Sequence, residues 1–243
     1  MSRLPQLNLA GEMRGRMVQA VIFDLDGTLV DTSQGHIAAW KQALSESGVK
    51  KSHREIQREF GKTSEDIAQI LLPSRIKRNA RTVAERKDHL FLEMGYESAE
   101  AIPGARKTLS ALKGKGMKIA VCSSNPRITV ERLLKRFRLI RLVDVYVSMD
   151  EVRRGKPASD ILLLAARMMG LQPSSILVVG DSVYDMAAGK SAGMRTAGVA
   201  SGASSFDQLE GEHPDFLLRD ITQLIPLIDK RSYARKHSDS EVR

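Results

Sequence analysis

The stretch Val18-Gln19-Ala20-Val21-Ile22-Phe23-Asp24-Leu25-Asp26-Gly27-Thr28-Leu29 decides the fold of this chain. Its first half is a short apolar run rich in β-branched residues, which predicts a strand buried on both faces. Its second half is a polar loop with two aspartates two residues apart, so both carboxylates leave the carboxyl end of one strand together. Open α/β sheets bind ligands at that edge. One carboxylate there can attack while its neighbour handles a proton, and the pair attracts a hard divalent cation through oxygen ligands. A calcium loop of the EF-hand type is excluded. Counted from Asp24, the glycine falls at position 4 instead of 6, and Gly35 stands at position 12, where a bidentate glutamate is required.

Further along the chain, Met117–Cys122, Val143–Val147 and Ile176–Val179 are runs of the same buried type, and Arg195–Val199 is a weaker one. Segments with helical spacing separate them: Ala105–Leu112, Ile128–Phe137, Ile161–Met169 and Tyr184–Ala192. This alternation predicts an α/β fold, Rossmann-like, with a mainly parallel sheet and helices on both faces. Residues 33–98 break the pattern. Apolar positions there recur at three and four, as in Ile37, Trp40, Leu44 and in Ile67, Ile70, Leu71, and Thr63 or Ser64 stands where an N-cap belongs. The expected organisation is an N-terminal extension (1–16), a core built from 17–32 and 99–229, an inserted all-helical domain (33–98) and a basic tail (230–243).

A chain of 243 residues with 42% apolar residues can bury a substantial core. One cysteine, Cys122, excludes an internal disulfide and fits a reducing, cytoplasmic setting. Residues 1–16 contain no continuous apolar segment of the signal-peptide kind, and no run approaches the ~20 apolar residues of a membrane helix. The net charge of +9 is unevenly spread: the stretch 50–87 holds eleven basic residues against five acidic ones, the two ends add +5, and the rest of the chain is near −2. Aromatic and basic residues are not interleaved as single-strand binders require, so no nucleic-acid partner is expected, and the charge suits steering of small anions. His36, His53, His89, His213 and His237 show no ligand spacing and read as surface or packing residues. The side chain of Cys122 should point away from that of Ser123, because side chains alternate along a strand.

Three further motifs stand at strand ends or helix starts. They are Val121-Cys122-Ser123-Ser124-Asn125, Gly155-Lys156-Pro157 at the opening of a helix, and Gly180-Asp181-Ser182-Val183-Tyr184-Asp185. Together with Asp24-Leu25-Asp26-Gly27-Thr28, and in this order, they resemble the four motifs of the haloacid dehalogenase-like superfamily. The resemblance runs from about Val18 to Leu227 and implies a phosphatase acting on a small phosphorylated metabolite. It makes Asp24 the nucleophile and Asp26 the acid and base. Thr28, Ser123, Ser124 and Lys156 would bind the phosphoryl group, and Asp24, Asp26 (by its carbonyl), Asp181 and Asp185 would hold Mg²⁺. The presence of Asp26 favours phosphate esters over haloacids and phosphonates.

In such enzymes the inserted helices form a cap that closes over the substrate, with hinges here near Asp31-Thr32 and Ala101-Ile102. Lys62, in Gly61-Lys62-Thr63-Ser64-Glu65-Asp66, occupies the place of the cap loop and could meet an acidic group of the substrate. Gly193–Val199 and Pro214-Asp215-Phe216 are similar to phosphoglycolate phosphatases, with pyrophosphatases close behind. A β-phosphoglucomutase is a further alternative, with His36 and Trp40 in matching places, although Ser64 stands where those mutases carry an arginine. A phosphate- or nucleic-acid-binding protein on the same fold is the non-enzymatic alternative.

Overall fold

The computed structural model describes residues 18–228; the expected N-terminal extension and basic tail lie outside the described residues. In chain order the elements begin with β1 (Ala20–Phe23) and β2 (Val30–Asp31). The helical insertion follows as α1 (Ser33–Glu46), α2 (His53–Gln57), α3 (Ser64–Leu71), a 3₁₀ segment (Ser74–Asn79), α4 (Ala80–Leu90) and a wide π turn (Phe91–Gly95). After β3 (Glu100–Ala101) the chain alternates through α5 (Ala105–Gly114), β4 (Lys118–Cys122), α6 (Arg127–Arg136), β5 (Val145–Val147), α7 (Asp160–Met169), β6 (Ile176–Gly180), α8 (Val183–Ser191), β7 (Arg195–Val199), α9 (Phe206–Gly211) and β8 (Phe216–Leu218).

Six strands form one parallel sheet in the order β5-β4-β1-β6-β7-β8, with Ala20 opposite both Lys118 and Ile176. The first strand is therefore central, and the chain leaves it to opposite sides. That is the switch point where a crevice opens at the carboxyl edge. β1 is buried at every position, and its residues alternate between the two faces. Val21 and Phe23 pack with Leu109, Leu112 and Val130 on one side, while Ala20 and Ile22 pack with Ile161, Ala165 and Ala188 on the other. Fully burying an aliphatic or aromatic side chain of this kind is worth about 1.5–3 kcal/mol.

Residues 33–98 form no strand, as expected. A short antiparallel ribbon frames the insertion, Val30 opposite Ala101 and Asp31 opposite Glu100, with two residues on each side. Such brief pairing has no legible alternation. Trp40, Leu44, Ile56 and Ile67 fill the insertion and join the core face that carries Val21 and Phe23. Thr63 caps α3, accepting from the backbone N–H of Asp66 at 3.1 Å. The loop with Lys156 does not open a helix directly: α7 begins at Asp160. β8 also lay outside the expected strands, because three residues at a sheet edge leave too short a pattern.

Candidate active site

The carboxyl ends of β1, β4 and β6 bring most of the expected residues together. Asp24 continues the sheet pairing, its N–H donating to the Val179 carbonyl at 2.8 Å, so its position is fixed by the β1/β6 ladder. Lys156, 3% exposed, reaches in from the loop after β5. Its Nζ donates to Asp24 Oδ1 at 2.5 Å and to the Cys122 carbonyl at 3.1 Å, and lies 2.6 Å from Asp185 Oδ1. Burial pulls the ammonium towards neutrality, but Asp185 and Asp24 outweigh it and hold its pKa above the ordinary lysine range. A buried cation between two buried carboxylates is fully compensated; removing it would leave uncompensated charge.

Asp181 follows β6. Its Oδ1 accepts from Thr28 Oγ1 at 2.9 Å and its Oδ2 from the Ala203 N–H at 2.6 Å. Thr28 therefore uses its hydroxyl to orient Asp181. Gly27 has a left-handed φ of +75°, and a Cβ there would fall 2.4 Å from Asp181 Oδ2, so only glycine lets the loop pass this carboxylate. Asp185 closes a capping box with Ser182 at the start of α8: its Oδ2 accepts from the Ser182 hydroxyl at 2.6 Å and the Ser182 N–H at 3.1 Å.

Asp24, Asp181 and Asp185 each bring a carboxylate oxygen within 4.8 Å of the others. Burial, and then the crowding of like charges, raises Asp24 well above the usual carboxylate range despite the opposing pull of Lys156, and pushes Asp181 up to about 7. Three clustered hard oxygen donors whose mutual repulsion one ammonium, Lys156, offsets only in part fit a divalent cation such as Mg²⁺. Asp24 is held by Lys156, Asp181 by Thr28 and Ala203, and Asp185 Oδ1 stands 2.6 Å from Lys156 with no hydrogen-bond partner among the described residues, so a cation would find a free lone pair at each carboxylate.

Asp26 is held differently. Oδ1 accepts from Thr32 Oγ1 at 2.6 Å and from His36 Nε2 at 3.3 Å; Oδ2 accepts from Asn125 Nδ2 at 2.7 Å and Ser123 Oγ at 3.1 Å. Burial alone would raise this group, but the donors, led by His36, win and lower it to about 2. His36, expected to be a packing residue, does stack on Phe91 with ring centres 4.0 Å apart, but it also touches the Asp26 carboxylate. Burial and then the charge of Lys87 lower its pKa, so the ring is neutral and donates through Nε2, leaving Nδ1 buried without a partner among the described residues. Cys122 points away from Ser123 as expected, its thiol facing the Ile161 carbonyl at 3.7 Å, and burial first of all pushes it up to about 12.

These groups face a partly open cavity of about 140 Å³ between sheet edge and helical insertion. From the sheet side it is lined by Asp24, Asp26, Ser124 and Asn125, and from the insertion by His36, Trp40, Phe60, Lys62, Ser64 and Lys87. Lys62 belongs to this lining, but its ammonium pairs with Glu59 and lies 5.0 Å from the centre of the Tyr184 ring. Lys87, 3% exposed, was not singled out in the sequence. Its Nζ donates to Asp88 at 3.0 Å and Ser64 Oγ at 3.2 Å, and lies 5.5 Å from the centre of the Trp40 ring.

The comparisons agree with this geometry. The family model described as haloacid dehalogenase-like hydrolase matches residues 21–199. Pyrophosphatase PpaX of Bacillus cereus is 30% identical over 220 residues, covering 87% of this chain and 96% of that protein. The phosphoglycolate phosphatase of Shigella boydii is 27% identical over 238 residues, covering 87% and 92%. Among solved structures, a hydrolase from Pseudomonas syringae superposes with a TM-score of 0.78 at 27% identity, covering 87% of this chain and 98% of that one. With the central-strand aspartates, the bridging lysine and the acidic cluster in one crevice, the chain belongs to the haloacid dehalogenase-like hydrolase family.

Proposed function

We propose that this protein is a Mg²⁺-dependent phosphatase that hydrolyses a small phosphate monoester bearing a second anionic group, of the phosphoglycolate kind, through a phosphoryl-Asp24 intermediate. The observation that carries this reading is the placement of Lys156 between Asp24 and Asp185, under a cavity whose opposite wall carries the buried cation Lys87. A volume of about 140 Å³ lies below the ~300–1,000 Å³ of pockets for drug-sized ligands, which favours a compact metabolite over a nucleotide or a peptide. Relatives named for phosphoglycolate and for pyrophosphate support the class.

Asp24 Oδ attacks phosphorus in line with the leaving oxygen, while Lys156 neutralises charge on the phosphoryl oxygens. Mg²⁺, when held by Asp24 and Asp181 with Asp185 behind them, supplies further neutralisation of that charge. Asp26 starts ionised. An ester entering as its monoanion brings one acidic proton, and like-charge repulsion raises the pKa of Asp26 so that it takes this proton from the phosphoryl group and passes it to the leaving oxygen. Once the leaving group departs, Asp26 is again the carboxylate that its four donors favour, suited to take a proton from the water that attacks phosphoryl-Asp24. The helical insertion acts as a cap that keeps bulk water from this step.

Pyrophosphate is the second reading, since Lys87 would meet a second phosphate as readily as a carboxylate. The mutase reading loses support, because Ser64 donates to Asp88 and accepts from Lys87 and places no guanidinium in the cavity. Phosphate release from a panel containing phosphoglycolate, pyrophosphate, a hexose phosphate and a neutral aryl phosphate tests the proposal. The acidic pair should lead by tenfold or more (~1.4 kcal/mol). No phosphate release from any of them with Mg²⁺ present would refute it.

A further inference from the structure

The loop Gly61-Lys62-Thr63 is wedged against three separate segments of the sheet domain. Ser124 Oγ donates to the Gly61 carbonyl at 3.1 Å. Gly61 has φ +98°, and a Cβ there would lie 2.9 Å from both Ser182 Oγ and Tyr184 Cδ2. Thr63 Cγ2 fills a notch over Gly155, where a Cβ would come within 2.2 Å. At the centre of this contact the Lys62 ammonium pairs with Glu59 of its own loop and stands 5.0 Å from the centre of the Tyr184 ring on α8. The side chains of Lys62 and Glu59 are only 20% and 18% exposed, so the pair is largely out of water and the cation-to-ring attraction is correspondingly strengthened.

We propose that Glu59, Lys62 and Tyr184 form a clasp that holds the helical insertion closed over Asp24, with Lys62 a positioning residue across this contact instead of a contact to substrate. Glu59 fixes the ammonium, the Tyr184 face receives it, and the glycine at 61 permits the approach. Tyr184 stands in the first turn of α8 beside Asp185 and three residues after Asp181, so closure docks the insertion directly beside the acidic cluster. The clasp draws strength from the conformation itself and does not require the phosphatase reading; only the kinetic arm of its test rests on that reading.

Trp40 is the chain's single tryptophan, fully buried in the closed form, and it lines the cavity that opening would flood. Acrylamide quenching of its fluorescence therefore reports closure without any turnover. A cation over an aromatic face contributes about twofold to thirtyfold to an equilibrium constant, depending on desolvation. Lys62→Ala and Tyr184→Ala should shift the closed-to-open ratio by that factor and raise the quenching constant. Lys62→Arg, which keeps the cation, should restore it, and Tyr184→Phe, which keeps the ring but loses the hydroxyl that also meets Lys62, should restore it in part. In turnover the two alanine variants should raise KM more than they lower kcat, because only the closed fraction binds productively. Should Tyr184→Ala fail to fold, Lys62→Ala decides, since it shortens a side chain on a loop. Unchanged quenching in a folded Lys62→Ala variant would overturn the clasp, whatever its activity.

Discussion

Replacing Lys87 by methionine removes the one charge of the insertion that is buried at the cavity wall while keeping the length of the side chain. In the parent the ammonium donates to Asp88 and Ser64, two of its three hydrogens, and one donor remains for a ligand. A charge-assisted contact to a substrate carboxylate or second phosphate at this buried ammonium is worth about 1.5–3 kcal/mol. At ~1.4 kcal/mol per decade this predicts a loss of roughly tenfold to 150-fold in kcat/KM for phosphoglycolate or pyrophosphate. A neutral aryl phosphate never uses the contact and should lose little. Asp88 is left without its cation, but its side chain is 20% exposed and can be rehydrated, so the fold should survive with a cost of about 1 kcal/mol. The assay is phosphate release from both substrates by parent, Lys87→Met and Lys62→Ala. Lys62→Ala should depress both substrates alike, because a loosened cap serves neither. If Lys87→Met lowers both equally or neither, Lys87 is a structural cation, and selectivity for an acidic group has no source in this wall.

Asp24→Asn should abolish turnover in a protein with unchanged circular dichroism, since an amide cannot form the acyl phosphate; comparable phosphate release would remove Asp24 as nucleophile. Asp181, lifted to about 7, carries a proton in the folded chain below that pH and costs stability increasingly as pH rises from the ordinary carboxylate range through 7. Bound Mg²⁺ requires the carboxylate and relieves that cost, so the Mg²⁺-induced rise in Tm should be larger at pH 8 than at pH 5.5. Equal rises would show that Asp181 does not hold the cation. Asp26 shifts the opposite way, lowered to about 2, and therefore contributes stability that is present above the ordinary carboxylate value and lost as pH falls through 2. Asp26→Asn should destabilise by about 2 kcal/mol in urea unfolding at pH 7, and by less at pH 3; a cost independent of pH would mean that the four donors do not favour the anion.

Residues whose placement follows from strand ends were legible in the sequence. Asp24, Ser123 and Asp181 each follow a buried apolar run, and parallel pairing of β1 with β4 and β6 carries all three to one crevice. Lys156 was legible only through its motif, since the chain around it has neither strand nor helix pattern. The insertion was readable as helical but not in its pairings, because helix packing depends on which faces meet. Even so, Lys87 carried a signal that went unread. Ala80, Val83, Ala84 and Leu90 mark the buried stripe of α4 at helical spacing, and Lys87 falls on that stripe, three residues after Ala84 and three before Leu90. A charge among apolar positions must find partners or a ligand, and here it found Asp88, Ser64 and an open donor beside the cavity. His36 lies one turn before Trp40 in α1 in the same way, directed by the helix at the loop its own strand had just left. Lys62 shows the opposite limit: in this structure Glu59, one turn earlier, and Tyr184, more than a hundred residues later, hold its charge. The local neighbour was visible in the sequence, and the distant one is set by how insertion and sheet domain close on each other. On the proposed reading, selectivity in this cavity would come from the helical stripes of the insertion and the chemistry from the ends of the strands.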